Sequence, residues 1–154
     1  MTVTAKGEYA IKAMLDLALT DDGETLQPIQ DIARRQGIPQ RYLEQVLLAL
    51  KRAGFLHSRR GSAGGYRLAK APEQITVGAL LRAVEGRPGL GGSGRTSRSA
   101  SPDAGGDLTY LWRAVSEAVD AVVDGTTLED LRRHAAERRE SAKPACVASG
   151  TVMG

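Results

Sequence analysis

The segment from 28 to 70 limits the fold more than any other, because its glycines and prolines divide it into short pieces. Apolar residues at helical spacing predict one helix that opens at Pro28 and stops at Gly37, and another that runs from Pro39 to Gly54. The connection "ARRQGIPQ" has the layout of a helix-turn-helix. Two strands are predicted in "FLHSR" and "GYRLAK", and the glycines of "RGSAG" permit a tight hairpin between them. Together these pieces predict a winged helix.

Helices are also predicted on both sides of this segment. A first helix is capped by Thr4 and ends at Asp21-Asp22-Gly23, and a fourth runs from Val77 to Val84 with Thr76 as its cap. Farther along, a long amphipathic helix is followed by a short final helix in "GTTLEDLRRHAAERRE". The expected fold is mainly α with a small β-hairpin.

Positive charge is concentrated in one part of the chain. Residues 1–33 hold two Lys against six Asp or Glu, whereas residues 34–70 hold nine Lys or Arg against the single Glu44. Residues 71–154 are nearly balanced, with ten cationic and eleven acidic side chains. A local block of charge +8 in a chain of net charge +3 indicates a polyanionic partner, of which nucleic acid is the commonest. The motifs of this segment favour double-stranded DNA.

The helix that follows Pro39 carries side chains suited to reading bases. Gln40, Arg41, Glu44 and Gln45 lie away from its apolar stripe. In the major groove Gln bonds adenine, Arg bonds guanine, and a carboxylate accepts from cytosine N4. For Glu44, a salt bridge to Arg41 or Arg34 is an alternative interpretation that the sequence leaves open.

The predicted hairpin is equally suited to DNA. Arg59 and Arg60 stand at its mouth, and the narrow minor groove attracts arginine. Gly61, Gly64 and Gly65 lack side chains that would obstruct a close approach.

Three further residues are interpreted from their positions in the predicted elements. Lys6 and Gln27 lie near the starts of two predicted helices, where backbone N–H groups favour anions, so both are candidate phosphate ligands. Tyr66 is interpreted as packing within the hairpin rather than stacking on a base.

The long helix beyond residue 106 has more apolar surface than a small domain needs. This stripe either lies across the body of its own chain or pairs with its copy in a second chain. Its members include Leu108, Leu111, Trp112, Val115, Val119 and Val122.

Several classes of protein are disfavoured by composition. The longest purely aliphatic run, residues 46–50, is too short to span a bilayer, and residues 6–16 carry four charges where a signal peptide needs an apolar stretch. The single Cys146 cannot form an internal disulfide. A cytoplasmic protein with no membrane partner is expected.

Particular stretches resemble a known family. "AKGEYAIKAMLDLA", "YLEQ", "RGSAGGYRL" and "LWRAVSEAVDAVVDGTTLEDL" are similar to bacterial winged-helix regulators of the family that includes IscR, NsrR and CymR, and the match runs from about residue 2 to 132. The resemblance implies a dimeric transcription factor, and repression of its targets is the expected activity. It assigns recognition contacts to Arg41, Tyr42, Glu44 and Gln45.

The same resemblance completes the expected architecture. It implies a wing contact at Arg60 and Gly61, and a homodimer formed by the long C-terminal helix on a palindromic operator. The chain is expected to divide into four parts: a winged helix-turn-helix DNA-binding domain (1–86), a flexible Gly/Ser-rich loop (87–106), a dimerisation helix with a short final helix (107–140), and a loose tail (141–154).

One departure from the family is evident. Many relatives bind an iron–sulfur cluster through three cysteines in the loop before the long helix, but residues 87–106 contain none. His57 and His134 match no metal-site spacing. Glu8 matches an acidic position that some relatives use as a ligand, and it is interpreted here as a first-turn acid favoured by the helix dipole. No metal and no cofactor are therefore expected.

Other functions fit these features less well. An enzyme that cradles phosphate in "GSAGGY" lacks the Lys-Ser or Lys-Thr of a P-loop, and two histidines offer no credible Ser-His-Asp set, so no enzyme is expected. The sequence leaves open a small-molecule or protein effector, control through a partner metabolic enzyme, oxidation of Cys146, and a protein-interaction module with a basic surface.

Overall fold

Six helices and a two-stranded antiparallel hairpin make up residues 3–86 and 106–142, the residues that the computed structural model describes. In chain order they are α1 (Ala5–Leu19), α2 (Ile29–Gln36), α3 (Gln40–Arg52), β1 (Leu56–Arg59), β2 (Gly65–Leu68), α4 (Val77–Glu85), α5 (Gly106–Gly125) and α6 (Leu128–Ser141). A 3-10 turn, Pro72–Gln74, precedes α4. The prediction of a mainly α fold with a small hairpin is confirmed. The proposed loop before Gly106, Cys146 and the tail after Ala142 lie outside the described residues.

Threonine caps begin two of the helices as predicted. The Thr4 hydroxyl accepts from the Gly7 N–H at 3.3 Å, and the Thr76 hydroxyl accepts from the Ala79 N–H at 3.2 Å. Each bond satisfies a backbone donor that has no partner within its helix, which stabilises such a helix start by about 1 kcal/mol. α1 and α4 therefore begin where the local sequence places them.

The two prolines stand one position earlier than predicted. Pro28 and Pro39 are cap residues in extended conformation, and the helical residues begin immediately after them. Their carbonyls accept the first helical bonds, from Ile32 N–H at 3.3 Å and Leu43 N–H at 3.1 Å. Proline suits the cap position too, because its fixed φ is compatible with it and no N–H is required there.

The core is aliphatic and is shared by the four N-terminal helices. Fully buried side chains come from α1, α2, α3 and α4, and include Met14, Leu17, Ile32, Leu43, Val46, Leu47, Leu50, Leu80 and Leu81. The apolar stripe of α3 is thus entirely inside. Because the packed side of α3 is fixed in this way, its polar side must face outward.

The start of α6 belongs to the same core. Leu128 is fully buried, and its N–H donates to the Ile75 carbonyl at 2.8 Å. The Val77 N–H donates to the Thr126 carbonyl at 2.9 Å, so the chain before α4 and the chain before α6 pair as a short bridge. A capping box between Thr127 and Asp130 fixes the helix start. The start of α6 is therefore joined to the chain before α4 by backbone hydrogen bonds and to the core by Leu128.

The hairpin, called the wing below (residues 56–68), is attached to α2 as well as to α3. Arg59 pairs with Gly65 in the antiparallel register. Tyr66 exchanges two backbone hydrogen bonds with Gln27, at 2.8 and 2.9 Å, just before α2 begins. The Tyr66 ring packs against the core, as predicted, so the wing has a fixed position beside α3.

Candidate nucleic-acid interface

The outward side of α3 carries the side chains predicted to read bases. They share exposure to solvent and positions opposite the buried stripe, and form what is called the reading face below: Gln40, Arg41, Tyr42, Glu44, Gln45 and Leu48. The aromatic ring of Tyr42 is 57% exposed. A protruding helix of this kind, preceded by a turn and a second helix, has the geometry that enters a major groove.

Glu44 is not held by either arginine that the sequence suggested. Its carboxylate accepts only a long hydrogen bond, from the Gln40 amide at 3.4 Å, within the described part of the chain. Arg34 instead pairs with Asp31 at 2.8 Å. The Glu44 carboxylate therefore retains acceptor capacity for a group outside the protein.

A groove of about 380 Å³ separates α3 from the wing. Lys51 and Leu48 of α3 line one side, and Arg59 and Arg60 line the other, with the start of α2 at the end. Sequence reasoning placed both arginines here but missed Lys51. The only sequence signal for Lys51 was that it belongs to the basic block of residues 34–70. Its position opposite the wing depends on how α3 and the wing pack, which the local sequence does not show.

The cations of the reading face and of this groove have no carboxylate partner. In residues 3–86 and 106–142, Arg41, Lys51, Arg59 and Arg60 form no ion pair with another residue. Some arginines farther away are paired, as Arg82 is with Asp124 at 2.7 Å, whereas Arg138 and Arg139 of α6 are unpaired within those residues. Unpaired cations clustered on one surface create a positive potential that attracts phosphate.

Lys6 lies at the edge of the reading face. A second groove, of about 530 Å³, is lined by Lys6 and Tyr9 of α1 and by Tyr42, Gln45 and Val46 of α3. The start of α1 and the middle of α3 therefore meet at one surface, although 33 or more positions separate them in the chain. This brings the predicted phosphate ligand Lys6 beside two predicted base readers.

Gln27 has structural partners that the sequence did not indicate. Its backbone N–H is occupied by Tyr66, and its side-chain oxygen accepts from Arg35 Nη2 at 3.2 Å. The backbone N–H is therefore not free for a phosphate, which leaves only the side-chain amide donor for that role. The main contribution of Gln27 is to connect the wing with α2.

The glycines of the wing serve its own geometry. Gly61 has φ +113° and faces open space, so it suits a close approach to DNA. A Cβ at Gly64 would collide with the Arg59 carbonyl, and one at Gly65 with the Gln27 carbonyl. Gly64 and Gly65 are therefore required by the backbone packed against them, in addition to lacking side chains that would obstruct a close approach to DNA.

A buried ion pair holds α1 and α2 together behind this surface. Arg35 donates to Asp16 through Nε at 3.0 Å and through Nη2 at 2.6 Å, and Gln36 donates at 2.9 Å. The hydrogen bond to Asp16 is the main cause of a raised pKa for the Arg35 guanidinium. Since Arg35 also bonds Gln27, the pair extends to the wing. Sequence reasoning missed it because no local pattern links residues 16 and 35.

Carboxylates with lowered pKa values lie outside the reading face. The Thr25 hydroxyl, followed by the backbone N–H groups of Thr25 and Glu24, lowers the pKa of Asp22 to about 2. Backbone and hydroxyl hydrogen bonds from Thr127 lower the pKa of Asp130. Each group stabilises a turn or a helix start in its charged form.

The apolar stripe of α5 is largely exposed. Tyr110 is 77%, Trp112 63% and Val122 66% accessible, and Leu108, Leu111 and Val115 are exposed as well. Val119 is half-buried. A helix face this apolar is rarely left in water, and such patches mark sites of association.

Neither a membrane span nor a metal centre is indicated by the described residues. None of their helices has the length and apolarity needed to cross a bilayer. Residues 3–86 and 106–142 contain no group of three or more His, Cys, Asp or Glu placed to hold a metal ion. An iron–sulfur cluster needs several thiolates, whereas the 154 residues include one cysteine, so the donors do not fit such a cluster.

A helix-turn-helix with a polar, cationic second helix beside a basic wing defines a DNA-binding transcriptional regulator of the winged-helix class. Comparison with known proteins identifies the family. The family model for Rrf2, described as "Iron-dependent Transcriptional regulator", matches residues 3–134. The chain belongs to the Rrf2 family of transcriptional regulators, and the expectation that it is not an enzyme is confirmed.

Individual relatives agree with this assignment. The HTH-type transcriptional regulator IscR of Aliivibrio salmonicida is 39% identical over 142 residues, with coverage of 85% of this chain and 77% of that protein. Among solved structures, T. potens IscR has a TM-score of 0.72 and 34% identity, covering 90% of this chain and 91% of its own. CymR (YrzC), the global cysteine regulator of B. subtilis, has a TM-score of 0.70 and 33% identity, covering 87% and 98%.

Proposed function

We propose that this chain is a sequence-specific repressor that binds double-stranded DNA as a homodimer and works without an iron–sulfur cluster. The observation that carries the proposal is the cluster of unpaired cations beside the reading face. Lys51, Arg59 and Arg60 line the groove between α3 and the wing, and Arg41 is exposed on the reading face. None of the four has a carboxylate partner in the described ranges. A protein surface holds such charges together most readily when a polyanion neutralises them.

Specific roles follow from position. α3 enters the major groove, where Arg41 bonds guanine, Gln40 or Gln45 bonds adenine, and Glu44 accepts from cytosine N4. Tyr42 adds an exposed ring and hydroxyl at the edge of the same face.

The wing and the helix starts serve affinity and orientation. Arg59 and Arg60 follow the adjacent minor groove or its phosphates, and Gly61 allows the turn to approach closely. Lys6 and the amide of Gln27 are positioned near the starts of α1 and α2 for phosphate contacts.

Selection of bound fragments from genomic DNA tests the binding role directly. The wild-type chain is expected to enrich fragments with a shared palindromic sequence, and an Arg41→Ala variant is expected to lose that enrichment. Arg113→Gln, which removes an exposed cation from α5, is the matched control and should retain it. Equal enrichment by wild type and Arg41→Ala would count against base reading by α3.

The dimer is proposed to form through the exposed stripe of α5. Leu108, Leu111, Trp112, Val115, Val119 and Val122 share this stripe. Burying one large apolar side chain is worth about 1.5–3 kcal/mol, so a few paired residues can offset the cost of association. Twofold symmetry then places the two reading faces about 34 Å or a multiple apart on a palindromic operator.

Sedimentation of variants tests the interface. Trp112→Asp or Leu111→Asp places a charge in the stripe and is expected to give monomers, while Arg113→Gln on the polar side of α5 remains dimeric. A Trp112→Asp variant that stays dimeric would place the interface elsewhere. A wild type that is monomeric at all concentrations would remove the homodimer from the proposal.

Independence from a cluster is proposed from the chemistry of the available donors. A dimer of this chain holds two cysteines, too few for the four thiolates that a cluster usually takes. The Glu8 carboxylate is paired with Lys12 at 2.6 Å. Protein purified without oxygen should be colourless, contain background iron and sulfide, and still bind its operator. A brown preparation that loses DNA affinity on removal of iron would refute this point.

The signal is proposed to be a small molecule or a partner protein, with oxidation of Cys146 as the remaining alternative. Titration of purified protein on its operator with peroxide, in wild type and Cys146→Ser, separates oxidation from the other two.

A further inference from the structure

The place where α5 meets α4 has features that the DNA contacts do not explain. Arg82 Nη2 bonds Asp124 Oδ1 at 2.7 Å, one residue before α5 ends. Asp124 raises the pKa of the Arg82 guanidinium, chiefly through this hydrogen bond. The Asp124 carboxylate also lies against Gly78, where a Cβ would collide with it. Gly78, Arg82 and Asp124 are called the joint below.

The backbone beside the joint is fixed on both sides. Val77 N–H donates to the Thr126 carbonyl at 2.9 Å, and Leu128 N–H donates to the Ile75 carbonyl at 2.8 Å. Leu128 is fully buried. The end of α5 is thus anchored to the core of the winged helix, and α4 is the described element that α5 contacts most.

The lever is long. A helix of 20 residues extends about 30 Å, so a rotation of about 10° at one end moves the other by about 5 Å. One base pair of duplex rises about 3.4 Å. A change at the joint of a few degrees is therefore comparable with one base pair of half-site separation.

We propose that Gly78, Arg82 and Asp124 set the angle at which α5 leaves the winged helix, and thereby determine the half-site spacing that the dimer prefers. This inference rests on the proposed dimer through α5. The three are positioning residues, because they act through the direction of the helix.

Local chemistry supports a role in direction rather than in stability. The Arg82 and Asp124 side chains are 39% and 46% exposed, and an exposed ion pair contributes little to folding. Gly78 lies inside α4, where alanine is the better helix former. Its small size is explained by the space that the Asp124 carboxylate occupies when it reaches Arg82.

The test uses duplexes that carry two copies of the selected half-site, with the spacer shortened or lengthened by one and two base pairs. Wild type, Arg82→Gln, Asp124→Asn and Gly78→Ala are titrated at one salt concentration, as is the charge-swapped Arg82→Asp/Asp124→Arg double variant. Sedimentation and thermal unfolding are measured on the same samples, together with binding to a duplex with a single half-site.

The single-residue variants are expected to remain dimeric, to unfold within a few degrees of wild type, and to bind the single half-site as wild type does. Their preference for the best spacing over its neighbours should fall about two- to five-fold, the range that an exposed pair supports. The double variant should recover part of that preference.

Other outcomes overturn the inference in separable ways. Unchanged spacing preference in Arg82→Gln and Asp124→Asn would refute the proposed role of the joint in half-site spacing, while leaving the proposed dimer intact. Loss of cooperative unfolding in both would show that the pair serves stability instead. A monomeric wild type, or a dimeric one without any spacing preference, would refute the proposed function and this inference with it.

Discussion

Replacing Asp16 with asparagine should destabilise the fold far more than the same change at a surface ion pair. Asp16 is 4% exposed, and its two carboxylate oxygens receive hydrogen bonds from Arg35 and Gln36. Asparagine keeps one acceptor and turns the other oxygen into an amide donor, which then faces the Arg35 donor. The change therefore removes a charge and introduces a donor–donor contact in a nearly dry site.

Two typical magnitudes bound the decrease in the free energy of unfolding that Asp16→Asn should cause. A hydrogen bond to a charged group is worth about 1.5–3 kcal/mol, and breaking a fully buried pair costs about 3–5 kcal/mol. The Arg35 side chain is 35% exposed, so water can solvate the guanidinium once its partner is lost. The expected decrease in the free energy of unfolding is thus about 1.5–3 kcal/mol.

Urea unfolding at one protein concentration measures this decrease, with Asp31→Asn as the matched control. Asp31 pairs with Arg34 on the same helix α2, but the Arg34 side chain is 78% exposed. The control should lose less than about 1 kcal/mol, including its interaction with the helix dipole. A double variant of Asp16→Asn with Arg35→Gln should cost less than the sum of its single changes. Equal losses for Asp16→Asn and Asp31→Asn would refute the reasoning.

Four other variants can be checked by DNA titration or by unfolding. Glu44→Ala should relax preference at particular base pairs by about 1–3 kcal/mol, as measured on a set of substituted operators; unchanged preference would remove its reading role. Arg60→Ala should weaken binding to most sequences and reduce the salt slope by about 1, as titrations at several salt concentrations would show. Gly65→Ala should cost about 1–3 kcal/mol in urea unfolding, because its Cβ meets the Gln27 carbonyl. Asp22 has a pKa lowered to about 2, so its charged form stabilises the turn above about pH 4 and that contribution is lost as pH falls through about 2. Asp22→Asn should therefore be less stable than wild type at pH 6, with the difference vanishing near pH 2.

Local signals in the sequence were sufficient to predict where the helices begin and end. Thr4 and Thr76 cap their helices, and Gly37 and Gly54 take the left-handed conformation after α2 and α3, because each depends only on residues a few positions away. The apolar stripe of α3 likewise determined which of its side chains face outward.

Contacts between distant segments were beyond the same reasoning. The Asp16–Arg35 pair, the approach of Gly65 to Gln27, and the position of Lys51 opposite the wing each depend on how separate elements pack. No periodicity or motif predicts these tertiary contacts, because many arrangements of the same helices would satisfy the local patterns equally well.

The burial of Leu128 has a consequence for the order of events on the ribosome. Synthesis proceeds from the N-terminus at about 5–20 residues per second, and segments fold as their partners emerge. Leu128 is made more than fifty residues after Ile75. Until then the Ile75 carbonyl lacks its hydrogen-bond donor and the apolar core lacks one of its buried side chains. A nascent chain that has released α1 to α4 thus still exposes part of its interior. Completion of the winged helix and emergence of α5 therefore fall in the same stage of synthesis.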